Sequence, residues 1–204
     1  MNIAFVANGK KTEFFYQIGL EIQKICPQVD IYFICSSSVQ YDIYLNHGVQ
    51  KNKLLLINWS ILYRDSKPIG EYKLNEIAGY DRGLKNCFED GIRYLKNMQE
   101  PFFNFVSGNN LKYIFGEMTW ASEVLMARIC QDKFNGSCAY LHPQSIRIPN
   151  GRFCFMDTEF QDSLYPIRKC FFQRFRFLNS TIYFAYYDKI LHHVFQSLIP
   201  PLEL

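Results

Sequence analysis

The feature that most constrains the fold is a series of short, mostly apolar runs, each separated from the next by a stretch of helical period. Residues 3–7, 31–35, 54–59, 111–115 and 137–141 are such runs. A strand with one face in water alternates apolar and polar side chains. A strand covered on both faces has no reason to alternate and reads as a continuous apolar run. Between the runs, Phe15, Ile18, Ile22 and Ile25 recur at helical spacing over 12–25, and Pro27 stops that helix. The serines at 36–38 can cap a helix running to about Leu45, which His47-Gly48 closes. Residues 73–96 are again helical in pattern, with Gly79, Gly83 and Gly91 weakening it, and 101–107 forms a separate piece before Gly108. A helix over 120–133 ends at Asn135-Gly136. Strand alternating with helix predicts an α/β chain: a Rossmann-like parallel sheet with helices on both faces.

After residue 141 the pattern changes. Pro143, Pro149 and Gly151 punctuate an expected loop, 153–156 reads as one more short strand, and 179–198 reads as an aromatic helix. The expected organisation is a Rossmann-like domain over 1–162 and a basic-aromatic helical extension over 163–204.

Composition narrows the class. The chain has 204 residues, 49% apolar and 20% charged, which excludes a disordered chain. The net charge of +3 is too small to argue for nucleic acid by itself. Seven cysteines, at 26, 35, 87, 130, 138, 154 and 170, form no CxxC pair and sit mostly in apolar runs. They read as reduced core thiols in a reducing compartment, and no metal site is expected. The N-terminus lacks the form of a signal peptide, and no stretch reaches the eighteen or so apolar residues of a membrane span. The expectation is a soluble or peripherally bound protein.

An open parallel sheet binds ligands outside the carboxyl ends of its strands, so the residues just past each run are the candidates. Asn8 and Gly9 follow the first run without a GxGxxG fingerprint. They read as a tight turn or as part of a binding edge. Gly116, Glu117 and Thr119 follow the fourth. Gly116 lets the backbone turn or a ligand approach, and Thr119 is a candidate helix cap. Glu117 is either a site acid or an acid placed at the positive end of a helix. Glu123 either joins it or pairs with Arg128 or faces water. "YLHPQSIRIPNGRF", 140–153, holds His142, Arg147 and Arg152 in one stiff loop. Forked guanidiniums suit a carboxylate or phosphate, unless they pair with Asp157, Glu159 or Glu117.

The extension reads "LYPIRKCFFQRFRF" over 164–177, with Arg168, Lys169, Arg174 and Arg176 among aromatics and no acid. Such interleaving fits an anionic membrane surface or a partner chain, or a helix packed on another domain with its arginines solvated. The same pattern could stack single-stranded nucleic acid, which is not among the expected partners. The aromatic tail also makes self-association into a homo-oligomer an expectation.

"FGEMTWASEVLMARICQ", "YLHPQSIRIPNGRFCFMDTEFQ" and the upstream Asp81-Arg82 together resemble the N-terminal half of bacterial capsule and surface-polysaccharide biosynthesis proteins, which are similar to GT-B glycosyltransferases. The resemblance covers 1–162 in layout and 115–162 in motifs. It implies two Rossmann-like domains facing a cleft, the first holding a saccharide acceptor and the second a nucleotide-sugar donor, with no further cofactor. It implies Glu117 as the base on the acceptor hydroxyl, and Arg147 and Arg152 steering an anionic acceptor or the donor diphosphate; Asn8, Gly9, Gly116, Thr119, Glu123 and His142 are the further substrate-binding residues expected beside them. It implies no metal, in keeping with the missing DxD-like pair. The chain departs from the pattern after 162, where no second Rossmann half follows. A donor-binding domain or partner chain is therefore expected, with little turnover without it. The expected location is the cytoplasm, at the inner face of the bacterial inner membrane. The alternatives are a non-catalytic sugar-binding or assembly module and half of a nucleoside-sugar epimerase.

Overall fold

The computed structural model describes residues 1–7, 11–146 and 152–160. Six strands, β1 (Asn2–Ala7), β2 (Asp30–Cys35), β3 (Leu54–Leu56), β4 (Leu111–Phe115), β5 (Ala139–Ile146) and β6 (Arg152–Met156), form one sheet in the order β3-β2-β1-β4-β5-β6. The first five are parallel and β6 is antiparallel to β5. Five helices connect them: α1 (Thr12–Ile25), α2 (Ser38–Asn46), α3 (Leu74–Tyr80), α4 (Phe88–Gly108) and α5 (Ala121–Phe134). The expected Rossmann-like architecture is present.

The continuous apolar runs have the predicted cause. Ile3, Phe5, Ala7, Ile31, Phe33 and Cys35 pack beneath α1 and α2, while Ala4, Val6, Tyr32 and Ile34 pack beneath the helices of the other face. Each central strand is therefore buried on both sides. Gly19 lets α1 press onto β2, where an added Cβ would lie 3.1 Å from Ile31.

Three boundaries differ from the sequence expectation. The helix expected over 73–96 is two helices, broken at Asp81, and α4 runs unbroken through Pro101 to Gly108. An interior proline costs a helix several kcal/mol, about 3. Here Tyr94, Leu95, Met98, Phe102 and Val106 bury one continuous stripe across it, which offsets that cost. The third run is a strand only over Leu54–Leu56, and then turns through a short 3-10 helix, Trp59–Tyr63.

Of the loop expected over 140–153, the described residues, 140–146 and 152–153, are strand. Ala139 to Leu141 pair with β4, whereas among the described residues His142 to Ile146 pair with β6 alone. The β5–β6 hairpin therefore projects past the carboxyl edge of the parallel sheet.

Candidate functional site

Strand order reverses at β1. The chain moves from β1 to β2 and β3 on one side, then crosses back to β4 and β5 on the other. The carboxyl ends of β1 and β4, adjacent strands whose connections leave in opposite directions, define the crevice in which doubly wound sheets bind ligands. Lys11, one residue before α1, reaches across this point and forms an ion pair with Glu117, two residues past β4. Glu117 is thus at the sheet's switch point with a quarter of its side chain exposed.

Gly116 is explained by packing. An added Cβ would overlap the Tyr140 hydroxyl and lie 2.9 Å from Val6 Cβ. The Tyr140 hydroxyl passes over Gly116 to donate to the Glu117 carbonyl at 2.9 Å, and the Gly116 amide donates to the Leu141 carbonyl at 3.1 Å. The close approach expected of a ligand is made instead by Tyr140, a buried residue of β5.

Thr119 is not the cap of α5. Trp120 occupies the N-cap position, and two carboxylates satisfy the helix's first amides. Glu123 Oε2 accepts from the Thr119 and Trp120 amides, both at 3.3 Å, and from Thr119 Oγ1 at 3.5 Å. Asp81 Oδ2 accepts from the Ala121 amide and Oδ1 from the Gly83 amide, both at 2.8 Å. Both acids are buried. Burial pushes the Glu123 carboxyl up to about 7, while its hydrogen bonds and the Lys11 charge pull the other way. Glu123 therefore neither faces water nor pairs with Arg128. Arg128 is held by Glu159, at 2.7 and 2.9 Å.

His142 stands where β5 leaves the parallel sheet, half-buried beside Gly116. Burial lowers its pKa, the Gly116 backbone opposes that, and the Lys11 charge lowers it further. The ring is therefore neutral at neutral pH. Its Nδ1 is shut off from solvent and makes no hydrogen bond of good geometry.

Of the residues expected at the site, the fold brings Gly116, Glu117, Thr119, Glu123 and His142 to one edge. Arg152 opens β6 opposite Ile146, its side chain outside the described ones. Asn8, Gly9, Arg147, Arg168, Lys169, Arg174 and Arg176 lie outside the described residues. Two residues of the site were missed by sequence reasoning. Asp81 had a local signal, since Asp-Arg-Gly is a turn pattern in which the carboxylate bonds an amide two residues on. Lys11 had none, because its partner is distant in the chain.

Among the described residues, no three His, Cys, Asp or Glu are placed to hold a metal ion, and no helix is long and apolar enough to cross a membrane. The described cysteines, Cys26, Cys35, Cys87, Cys130 and Cys138, are free thiols. Neither a family model nor a curated protein matches the chain, so what this edge can do must be argued from its own geometry.

Proposed function

We propose that the chain is the acceptor-side domain of a glycosyltransferase acting in bacterial capsule or surface-polysaccharide synthesis, completed by a donor-binding half on another domain or chain. The observation that carries this reading is the Lys11–Glu117 pair at the switch point of a doubly wound sheet, with a neutral His142 beside it. In the proposed reaction an acceptor hydroxyl oxygen attacks the anomeric carbon of a nucleotide sugar. The bond from that carbon to the nucleotide phosphate breaks, and Glu117 takes the hydroxyl proton. Lys11 orients the carboxylate, and Glu123 and Asp81 fix the loop that carries it.

A second reading is favoured by the same ion pair. A carboxylate already paired with an ammonium can hold a sugar hydroxyl without taking its proton, so the domain could bind saccharide and leave the chemistry to a partner. Both readings place it at the cytoplasmic side of a membrane where surface glycans are made.

The test is nucleotide release from UDP-, GDP- and CMP-sugars by the full-length protein combined with the donor-binding half that completes it, with surface-polysaccharide fragments as acceptors. Removing a general base lowers turnover by roughly 10²–10⁴-fold. Glu117→Gln is expected to do so with an unchanged circular dichroism spectrum. Equal turnover in wild type and variant would remove the catalytic reading and leave the binding one.

A further inference from the structure

Both tryptophans of the chain stand at the carboxyl edge of the sheet. Trp59 lies three residues past β3, and Trp120 is the N-cap of α5. They are 45% and 44% exposed. A large ring left half in water is informative, because burying it would be favourable.

Neither ring is loose. The Trp59 ring rests on Tyr94 with centroids 5.1 Å apart. The Tyr94 hydroxyl donates to the Ile57 carbonyl at 3.1 Å and lies beside the side chain of Ser122, two residues beyond Trp120. Trp120 leans on the turn between α3 and α4, where a Cβ added at Gly83 would lie 3.4 Å from its Cζ3. Tyr94 in the second turn of α4 thus braces Trp59, the turn at Gly83 braces Trp120, and Tyr94 and Ser122 connect the two supports. Neither indole N–H donates to a protein group among the described residues.

A rigid aromatic face with a free donor at its edge has a specific chemical complement. The face of a pyranose ring presents C–H bonds whose positive ends are attracted by the negative face of an indole, and its hydroxyls accept from Nε1–H. Such rings bind at low cost in conformational entropy. We propose that Trp59 and Trp120 form a saccharide subsite that stacks pyranose rings of an acceptor glycan on the α4–α5 side of the Lys11–Glu117 pair. This rests on the reading of the edge as a glycan-handling site and adds where the glycan lies.

Because the chain has only these two tryptophans, emission excited selectively in tryptophan over the 14 tyrosines reports the proposed site alone. The full chain is titrated with cellotetraose, chitotetraose and tetragalacturonate. At least one should change the emission saturably and shield the indoles from acrylamide. Trp59→Ala and Trp120→Ala should each weaken that binding about threefold to tenfold, the scale of one aromatic contact. Three outcomes overturn the subsite: no saturable change with any oligosaccharide, unaltered binding in both alanine variants, or saturation by UMP or CMP where the oligosaccharides fail. The acrylamide measurement on wild type decides the matter even if an alanine variant does not fold. Glycan binding together with equal sugar transfer by wild type and Glu117→Gln in the completed enzyme supports the subsite and sinks only the catalytic reading. Transfer with unchanged KM in both tryptophan variants sinks only the subsite.

Discussion

The Asp81 carboxylate accepts a hydrogen bond from the Ala121 amide at 2.8 Å, and so ties the turn after α3 to the first turn of α5. Its other oxygen holds the Gly83 amide. One side chain thereby fixes both the break between α3 and α4 and the loop that carries Glu117.

Asp81→Ala leaves two amides without their acceptor in a buried setting. The expected loss is about 2 kcal/mol, between that of a helix cap and that of a buried unmet hydrogen bond. Asp81→Asn keeps an acceptor oxygen and should cost less than half as much. Urea unfolding followed by far-UV circular dichroism gives both values. Equal losses in the two variants would show that the hydrogen bonds do not set the cost.

Gly116→Ala forces a methyl group against the Tyr140 hydroxyl and Val6. Overpacking of this kind costs about 1–3 kcal/mol. Tyr140→Phe removes the nearest offending atom but also the hydrogen bond to the Glu117 carbonyl. The double variant should therefore be more stable than the sum of the single losses predicts, by about 1 kcal/mol in a double-mutant cycle. Additive losses would mean that the ring, not the hydroxyl, fills the space.

The central strands were legible because burial on both faces leaves a mark in the sequence itself, as at 3–7 and 31–35. Pro101 misled because its local cost is visible while the stripe that offsets it is spread over three turns. Pro143 misled in the same way. Past Leu141, β5 has no partner on its β4 side, so a missing N–H there is tolerated. At the candidate site, the position of Glu117 at the sheet's carboxyl edge was legible from its place after a buried run. Its partner Lys11 was not, and neither was the role of Asp81 in capping α5. Both depend on contacts between elements that only the finished sheet brings together.

Glu123 should make stability depend on pH in a defined window. Its carboxyl moves from 4.5 to about 7 on folding, so the folded chain holds a proton that the unfolded chain has released. The stability this contributes is complete below pH 4.5 and is lost as pH rises to 7. His142 acts in the opposite sense. Its lowered pKa gives stability that is present above pH 6.5 and is lost on acidification. The two slopes partly cancel in the wild type. In His142→Gln the Glu123 slope should emerge as a loss on the order of 2 kcal/mol between pH 5 and 8. In Glu123→Gln the remaining slope should have the reverse sign near pH 6. Urea midpoints from pH 5 to 8 supply both curves, and slopes of the same sign would contradict the opposed burial of the two groups.

Lys11 is the charge common to Glu117, Glu123 and His142 at the edge. It pairs with Glu117, and its field favours the ionised form of Glu123 and the neutral form of His142. Replacing it with methionine keeps the length of the side chain and removes the charge. The pKa of both Glu123 and His142 should then rise, since a nearby positive charge lowers each of them. The chain has only four histidines, so the His142 ring can be followed singly by its Cε1–H resonance in an NMR titration. A rise in the His142 pKa in Lys11→Met, with the other histidines unmoved, places the ammonium at the switch point in solution. An unchanged His142 with intact fold would mean that Lys11 swings out into solvent. The Lys11–Glu117 pair, and the orientation it gives the proposed base, would then be lost.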